Sequence, residues 1–462
     1  VEGALLSPFR NPCSPTAAII DMDKSDLYYH LESSEGTSTE SIDTEDEDSD
    51  RDGLPFLLEI TPMERLPVLA RKIERCRASN DRAIFTRIAR KHILEEISEF
   101  LATRAGRECF SHVHIQHLLV DMISSHILMQ RSRSKRFRLE TSQRSEMDLV
   151  YKLLFQIATS RRLQTLAKPG LLPKQLCSGL VDLIDSDSKE ERDSLRYILY
   201  RIYKDYSQYR THFKRIIADV LLRHVYEEQD HRGINELLMM YSCVIKGLQV
   251  PLRPSNVEFL AEILVPLHRV KNVAPFHEEL VECMVEYCRK DERLLSIVIR
   301  EMMRVWPWRN STKQLLFIDE LETLMEMMQQ DQLDELKDEF FPFFGCLLKS
   351  DHYQVLEKAL SFWKNLSFVE SGYFGAVYSK ELLPNIYSPL LKAFDHWHRD
   401  VSNLAKFVLK IYQMMATDTF ERCQEAEIAD AEMQDQIAAA WENLEVLADL
   451  NMALLRQEAE EI

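Results

Sequence analysis

Residues 195–221, LRYILYRIYKDYSQYRTHFKRIIADVL, carry the pattern that decides the fold. Apolar residues stand at positions 195, 198, 199, 202 and 203, and they stand with the same offsets at 213, 216, 217, 220 and 221. This spacing places the apolar side chains along one face of an α-helix. The stretch therefore predicts two amphipathic helices joined by a short polar turn.

Similar stripes recur along most of the chain, separated by short breaks such as the one at Pro251–Pro254. Helices of about 12–20 residues, paired at intervals of about 40 residues, are typical of a repeat array in which each pair covers the next. We therefore predict an all-α fold over 54–416, a HEAT-like α-solenoid built as a curved array of antiparallel helix pairs. A large compact bundle has the same periodicity and stays an alternative.

Charge separates the two ends from this body. The net charge is −18 over 462 residues, but residues 1–53 hold 14 acids and three bases, and residues 420–462 hold 12 acids and two bases. Residues 32–52 are rich in Ser, Thr and acids and lack the apolar groups that offset chain entropy, so we predict a disordered acidic tail over 1–53.

The C-terminal segment 417–462 returns to a helical pattern, with Trp441, Leu444 and Leu447 on one stripe. It predicts an acidic helical extension that either caps the array or lies apart from it. Residues 131–138, RSRSKRFR, hold five bases, which fits either a solvated loop or an anion-binding or nuclear-localisation patch.

Patterns that carry chemistry are scarce. The chain has only 11 glycines, and none of them forms a phosphate-binding loop of the dinucleotide or nucleoside-triphosphate type. His112, His114 and His117 have no cysteine or carboxylate beside them, so surface histidines explain them better than a metal site. We expect no catalytic residues, no metal and no cofactor, and hence no enzyme.

Composition also limits the cellular compartment and the classes of partner that we expect. The nine cysteines are scattered without a C-x-x-C pair, which is typical of reduced thiols and predicts a cytoplasmic protein, with the nucleus as a second location. The body is close to neutral, so we expect no nucleic-acid partner. No apolar run reaches the roughly 18 residues of a membrane helix, so we expect no membrane span.

A surface feature is more informative. Arg201, Arg210 and Lys214 lie off the apolar stripes of two successive helices, and Met240 and Val244 lie along the edge of the next helix. In a repeat array, equivalent faces of successive helices line one surface, so bases would border a small apolar strip. Such a surface fits an extended peptide with hydrophobic anchors followed by acids. A solvated helix face with some edge packing is the alternative.

Several sequence blocks, strongest over 180–365, follow one another in a specific order. They include Asp182-Leu-Ile-Asp185-Ser186, Gly233-Ile234-x-Glu236-Leu237-Leu238, Pro266-Leu267-His268-x-Val270-Lys271 and His352-x-Gln354-Val355-x-Glu357. In these blocks the chain resembles the B-prime regulatory subunits of protein phosphatase 2A. The resemblance covers about 54–416.

The resemblance implies a non-catalytic subunit that joins a phosphatase scaffold subunit and a catalytic subunit in a heterotrimer. It also implies recruitment of substrate or adaptor proteins through short Leu-x-x-Ile-x-Glu-like motifs. The family's peptide pocket maps onto Arg201, Tyr203, Arg210, Lys214, Met240 and Val244, with Tyr200 and Asn256 as further candidates where the family usually has histidine. The alternative is another helical-repeat adaptor, or a transport-type scaffold, unrelated to the phosphatase.

Lys214 stands where the family usually has arginine, and Met240 and Val244 replace isoleucines. Lysine keeps the charge but lacks the two-armed geometry of a guanidinium, so we expect looser contacts with a carboxylate or phosphate. Methionine adapts to differently shaped anchors. These departures predict a pocket whose affinity and motif preference differ from those of the family.

Overall fold

A computed structural model of the protein describes residues 54–77, 84–134, 141–160, 163, 171–227 and 231–460. The predicted acidic tail 1–53 lies outside these ranges, as do residues 135–138 of the basic run. The chain divides into two compact units, the first ending at Ile216 and the second beginning at Ile217.

The first unit is built from helices that pack in two rows. The helices are α1 (Pro62–Arg75), α2 (Ile84–Ala102), α3 (Arg104–Phe110), α4 (Val113–Ser134), α5 (Thr141–Thr159), α6 (Lys174–Leu183) and α7 (Lys189–Asp205), followed by α8 (Arg210–Tyr226), which runs on past the end of the unit. One row is α1, α4 and α6, and the other is α2, α5 and α7, each helix packing on the next of its row. The short α3 packs on α2 and α4.

The second unit repeats this arrangement. Its helices are α9 (Ile234–Lys246), α10 (Pro254–Phe259), α11 (His277–Lys290), α12 (Leu294–Arg304), α13 (Ser311–Met325), α14 (Gln330–Leu347), α15 (Tyr353–Leu360), α16 (Leu366–Ser371), α17 (Ser379–Phe394), α18 (Arg399–Met415) and α19 (Thr417–Glu460). One row is α9, α11, α13, α15 and α18, and the other is α12, α14, α17 and α19.

Within each unit this is the packing of a helical-repeat array, in which every helix covers the apolar stripe of its neighbour. The described residues contain nineteen α-helices and no strand. The predicted all-α helical-repeat class is therefore confirmed. In the ranges that the structure covers, no helix is both long enough and apolar enough to cross a bilayer.

The quoted stretch folds as its periodicity predicts. Leu195, Ile198, Leu199 and Ile202 of α7 are all buried, as are Phe213 and Ile217 of α8. Ser188 caps the N-terminus of α7, where its side chain accepts a hydrogen bond from the backbone N–H of Glu191 and satisfies one of the free N–H groups of the first turn. The polar turn between the two helices is a 3-10 turn at Ser207–Tyr209.

One of the recurring apolar stripes, at Phe259–Leu267, is helical but irregular. The α-helix ends at Phe259, a π-turn follows at Leu260–Leu264, and a 3-10 turn follows at Val265–Arg269. Pro266 has no backbone N–H and its ring collides with the preceding turn, so it interrupts the regular hydrogen-bond ladder. The large apolar side chains of this segment remain buried although the winding of the backbone changes.

Candidate functional site

Arg201 lies half-buried on α7 and pairs with Asp205 one turn later. Its Nη2 is 3.2 Å from Oδ2 of Asp205, whereas its Nε is buried and has no hydrogen-bond partner among the residues that the structure describes. A buried donor that lacks an acceptor costs free energy, so an acceptor brought to this point would be stabilising. The pair with Asp205 was missed in the sequence, although opposite charges four residues apart on a helix are a recognisable signal.

Arg210 is exposed at the first position of α8 and reaches back to the end of α7. Its Nε donates to the carbonyl oxygen of Tyr203 at 3.0 Å, and its Nη2 donates to that of Lys204 at 2.8 Å. These carbonyls belong to the last turn of α7 and have no partner inside the helix, so Arg210 caps its C-terminus. The cap also fixes the direction of the guanidinium.

Tyr203 lies half-buried between Arg210 and the core. The guanidinium carbon of Arg210 is 5.6 Å from the centre of the Tyr203 ring, and the rings of Tyr203 and Phe213 are 6.5 Å apart. Burial raises the pKa of Tyr203, and the charge of Arg210 opposes this only in part. The phenol is therefore neutral at physiological pH and can donate a hydrogen bond.

Two further candidates flank this group. Lys214 is half-buried on α8, one turn beyond Arg210 and on the same face. Tyr200 is half-buried on α7, with the ammonium nitrogen of Lys204 5.9 Å from its ring centre. The structure thus brings Tyr203 and Arg210 into contact and adds Arg201 and Lys214 on the same two helices. We call Arg201, Tyr203, Arg210 and Lys214 the cationic group.

The prediction that Met240 and Val244 lie along an edge of their helix is wrong. Both belong to α9 in the second unit, and they are 1% and 6% exposed. Helix α9 packs on α11 and on the 3-10 turn at Ala274–Phe276 that leads into it. Whether they receive peptide anchors stays a prediction, as it does for Asn256, which is half-buried on α10.

A polar cluster that the sequence reasoning missed lies in the core of the second unit. Glu320 on α13 is fully buried, and one of its carboxylate oxygens is 3.0 Å from Nε2 of His268 while the other is 2.9 Å from Nε2 of His277. The Nδ1 of His268 donates to the carbonyl oxygen of Val265 at 2.8 Å. His268 and Glu320 stand in the part of the chain where the family blocks are strongest, but nothing in their spacing shows that the fold brings them together.

The hydrogen bonds define the protonation of this cluster. Both ring nitrogens of His268 face acceptors, which only an imidazolium satisfies when Glu320 is ionised. Burial alone would lower the pKa of His268, but the charge and hydrogen bond of Glu320 outweigh it and raise that pKa. Burial alone would likewise raise the pKa of Glu320, but the two histidines bring it down to about 2. The cluster is a buried ion pair.

Metal-binding geometry is not found in the described part of the chain, where no three His, Cys, Asp or Glu side chains are placed to hold an ion. His112, His114 and His117 are exposed. His126, in contrast, is buried with its Nε2 2.7 Å from the carbonyl oxygen of Cys76, and burial lowers its pKa. It serves the packing of the first unit.

A helical-repeat fold with cations gathered on two successive helices is typical of proteins that bind others. A family model described as "Protein phosphatase 2A regulatory B subunit (B56 family)" matches residues 54–448. The chain belongs to this family. It is therefore a regulatory subunit, which is a non-catalytic component of that phosphatase. The alternative of an adaptor unrelated to the phosphatase is excluded.

Relatives from plants and mammals carry the corresponding names. The B′ beta isoform of the 57 kDa regulatory subunit from Arabidopsis thaliana is 29% identical over 418 residues, which are 85% of this chain and 82% of that protein. The alpha isoform of the 56 kDa regulatory subunit from Mus musculus is 27% identical over 428 residues, covering 87% and 85% of the two chains. The Homo sapiens delta isoform is 28% identical over 313 residues, covering 66% and 51%.

Proposed function

We propose that this chain joins the scaffold and catalytic subunits of protein phosphatase 2A in a heterotrimer and directs the phosphatase to its substrates. The observation that carries the proposal is the family match over residues 54–448, which takes in most of both helical units. Relatives named as regulatory subunits of the same phosphatase support it over similar lengths. A location in the cytoplasm or nucleus, where thiols stay reduced, belongs to the same proposal.

Assembly tests the first half of the proposal. The purified chain is mixed with the preformed scaffold–catalytic dimer, and the complex is separated by size-exclusion chromatography. We expect one peak that contains all three chains in equal amounts. A chain that is folded by circular dichroism and still elutes apart from the dimer would contradict the assignment as a component of that enzyme.

The second half concerns substrate recruitment. We propose that the cationic group binds the acidic or phosphorylated positions of Leu-x-x-Ile-x-Glu-like motifs in substrate or adaptor proteins. Arg201 supplies a buried Nε donor that meets no acceptor in the described part of the chain, and Arg210 is held in place by its bonds to the last turn of α7. Preorganised guanidinium groups suit carboxylates because charge-assisted hydrogen bonds are the stronger ones.

Arg210 has a structural role as well, so the test must separate charge from capping. A labelled Leu-x-x-Ile-x-Glu peptide is titrated against the wild-type chain, Arg210→Glu and Arg210→Lys. A charge-assisted hydrogen bond contributes about 1.5–3 kcal/mol, so Arg210→Glu should weaken binding by about tenfold or more. Arg210→Lys keeps the charge and loses the two-armed cap, so it should bind more tightly than Arg210→Glu.

Arg215 provides a matched control. It is exposed on the same helix, and it points about 140° around the helix axis from Arg210. Arg215→Glu introduces the same change in charge, and it should leave peptide binding within about twofold of wild type if the cationic group is the site. If Arg210→Glu and Arg215→Glu weaken binding equally, the effect comes from net charge and not from the cationic group. Failure of the wild type to bind, together with normal assembly, would reject the docking site and keep the assignment to the phosphatase.

A further inference from the structure

The long C-terminal helix α19 packs against the second unit only in its first part. Thr419 is buried, the ring of Phe420 lies 5.2 Å from that of Tyr387, and Ser388 donates to Glu427 at 3.1 Å. From Ile428 to Met452 every residue is exposed. The helix therefore both caps the last row and extends beyond it, which joins the two alternatives that the sequence left open.

The exposed part carries an apolar stripe. Trp441 is 62% exposed and Leu444 is 55% exposed, and the same face also holds Met433, Ile437 and Leu447. These positions advance by three or four residues at each step, so their side chains lie along one face of the helix. We call these five residues the α19 stripe. A contiguous exposed stripe of large apolar side chains indicates an interaction surface.

Acidic side chains lie beside the stripe and on the face behind it. Asp435, Glu442, Glu445 and Asp449 lie about 100–180° around the helix from its centre, and Glu445 is the nearest of the four. No residue from 428 to 452 is Lys, Arg or His. None of the four carboxylates forms an ion pair with any residue that the structure describes. The surface is thus an apolar strip with an uncompensated negative border.

This charge pattern selects among the possible occupants. A second copy of the helix would place two acidic borders together without any counter-charge, which costs free energy. The chain's own segment 1–53 is acidic and would be repelled in the same way. The basic run 131–138 offers only one large apolar residue, Phe137. A membrane surface attracts helices with Lys and Arg on their polar face, which this one lacks.

We propose that the α19 stripe is a docking surface for a basic amphipathic helix of another protein. The apolar face of that helix covers Trp441, Leu444 and their neighbours, and its Lys and Arg side chains meet the acidic border. The proposal does not depend on the cationic group or on assembly with the phosphatase. Its failure would leave both of those assignments standing.

Two synthetic helical peptides test the proposal with the full chain. Both carry the same leucine stripe, and one has lysines beside it where the other has glutamates. We expect the lysine peptide to bind at least tenfold more tightly, measured by fluorescence anisotropy, with an affinity that falls as salt is added. Equal binding of both peptides, or binding of neither, would overturn the proposal.

Matched variants place the binding on the stripe. Leu444→Asp and Ala439→Asp each add one negative charge to an exposed site of α19, but only Leu444 belongs to the stripe, while Ala439 lies on the opposite face. Leu444→Asp should weaken binding of the lysine peptide at least tenfold, and Ala439→Asp should not weaken it. The double change Glu445→Lys and Asp449→Lys should shift the preference toward the glutamate peptide.

Sedimentation of the same variants tests the competing occupant. A wild-type chain that sediments as a dimer, and becomes monomeric in Leu444→Asp but not in Ala439→Asp, would assign the stripe to a second copy and overturn the proposal. A monomeric wild type is the expected result. Circular dichroism of each variant checks that the helix is retained.

Discussion

Glu320 is a fully buried carboxylate whose charge is balanced by two histidines that are distant in sequence. Breaking a buried ion pair by removing one partner leaves the other charge uncompensated in a low-dielectric interior, which typically costs about 3–5 kcal/mol. The cluster joins α13 to the 3-10 turn at Val265–Arg269 and to the start of α11. It therefore ties together three segments of the second unit.

The ion pair should make stability depend on pH. The contribution of His268, whose pKa is raised by folding, is complete below its usual pKa of about 6.5 and is lost as pH rises through the folded value. The contribution of Glu320 is complete above its usual pKa of about 4.3 and is lost as pH falls toward 2. Melting temperature should therefore fall between pH 6 and pH 8.5 in calorimetry.

The variant Glu320→Gln should be less stable by about 3 kcal/mol at pH 6 and should lose most of this pH dependence. Glu335→Gln is the control, because Glu335 is exposed in the same unit. It should melt like the wild type at every pH. If the melting temperature of Glu320→Gln falls as steeply as that of the wild type between pH 6 and pH 8.5, groups outside this cluster cause the pH dependence.

Individual side chains could be predicted from the sequence only where helical periodicity decides their position. The stripe of α7 is buried as predicted, and Arg201 and Arg210 remain accessible beside it. Met240 and Val244 were misplaced because periodicity gives the angle of a residue around its own helix. It does not give the number of neighbouring elements that pack on that helix.

At the scale of elements, the contact between α14 and α17 depends on a glycine. An ideal Cβ built on Gly345 would lie 2.4 Å from the carbonyl oxygen of Asn385, which belongs to the backbone of α17. The two helices approach so closely only because this position has no side chain. Helix propensity alone would favour alanine over glycine by about 1 kcal/mol, so packing reverses the usual preference here.

We expect Gly345→Ala to lower the free energy of unfolding by about 1–3 kcal/mol, because a helix backbone has to move to remove the clash. Gly247→Ala is the matched control, since the nearest atom to its added Cβ is 3.5 Å away. That variant should be neutral or slightly stabilised. Urea denaturation of both proteins measures the difference, and equal midpoints would contradict the close packing of α14 on α17.

Element type was predictable throughout, but winding and register were less so. The stretch Phe259–Leu267 reads as one periodic stripe, yet the segment from Pro254 to Arg269 that contains it changes from α to π to 3-10 geometry. A sequence pattern with a spacing of three to four residues fits all these windings to within the width of the apolar face. Their order depends on how the segment packs in the folded unit.

At the scale of the whole molecule, the repeat packing implies that helical turns without a packing neighbour contribute little to the free energy of unfolding. Deleting residues 428–462 removes a segment in which every residue from Ile428 to Met452 is exposed. We expect the melting temperature to change by less than about 2 °C. Phe420→Ala, which removes the ring packed on Tyr387, should instead cost about 1–3 kcal/mol. A large loss of stability on deletion would show that this part of α19 packs against the rest of the chain.

The fold class and the family were accessible from the sequence because both rest on many ordered blocks and stripes. The two-row packing of each unit follows from amphipathic helices that have no other way to cover their apolar faces. The partial docking of α19 could not be predicted, because a helical pattern does not show which turns of a helix a neighbour covers.

The uncovered part of α19 spans a considerable distance. Its 25 residues rise about 1.5 Å each, so the helix reaches about 37 Å beyond Glu427. A protein held anywhere along it is tethered, and its remaining surface samples the neighbourhood of the second unit at a local concentration that short tethers bring into the millimolar range. Contacts too weak to persist between free molecules would then last long enough to matter.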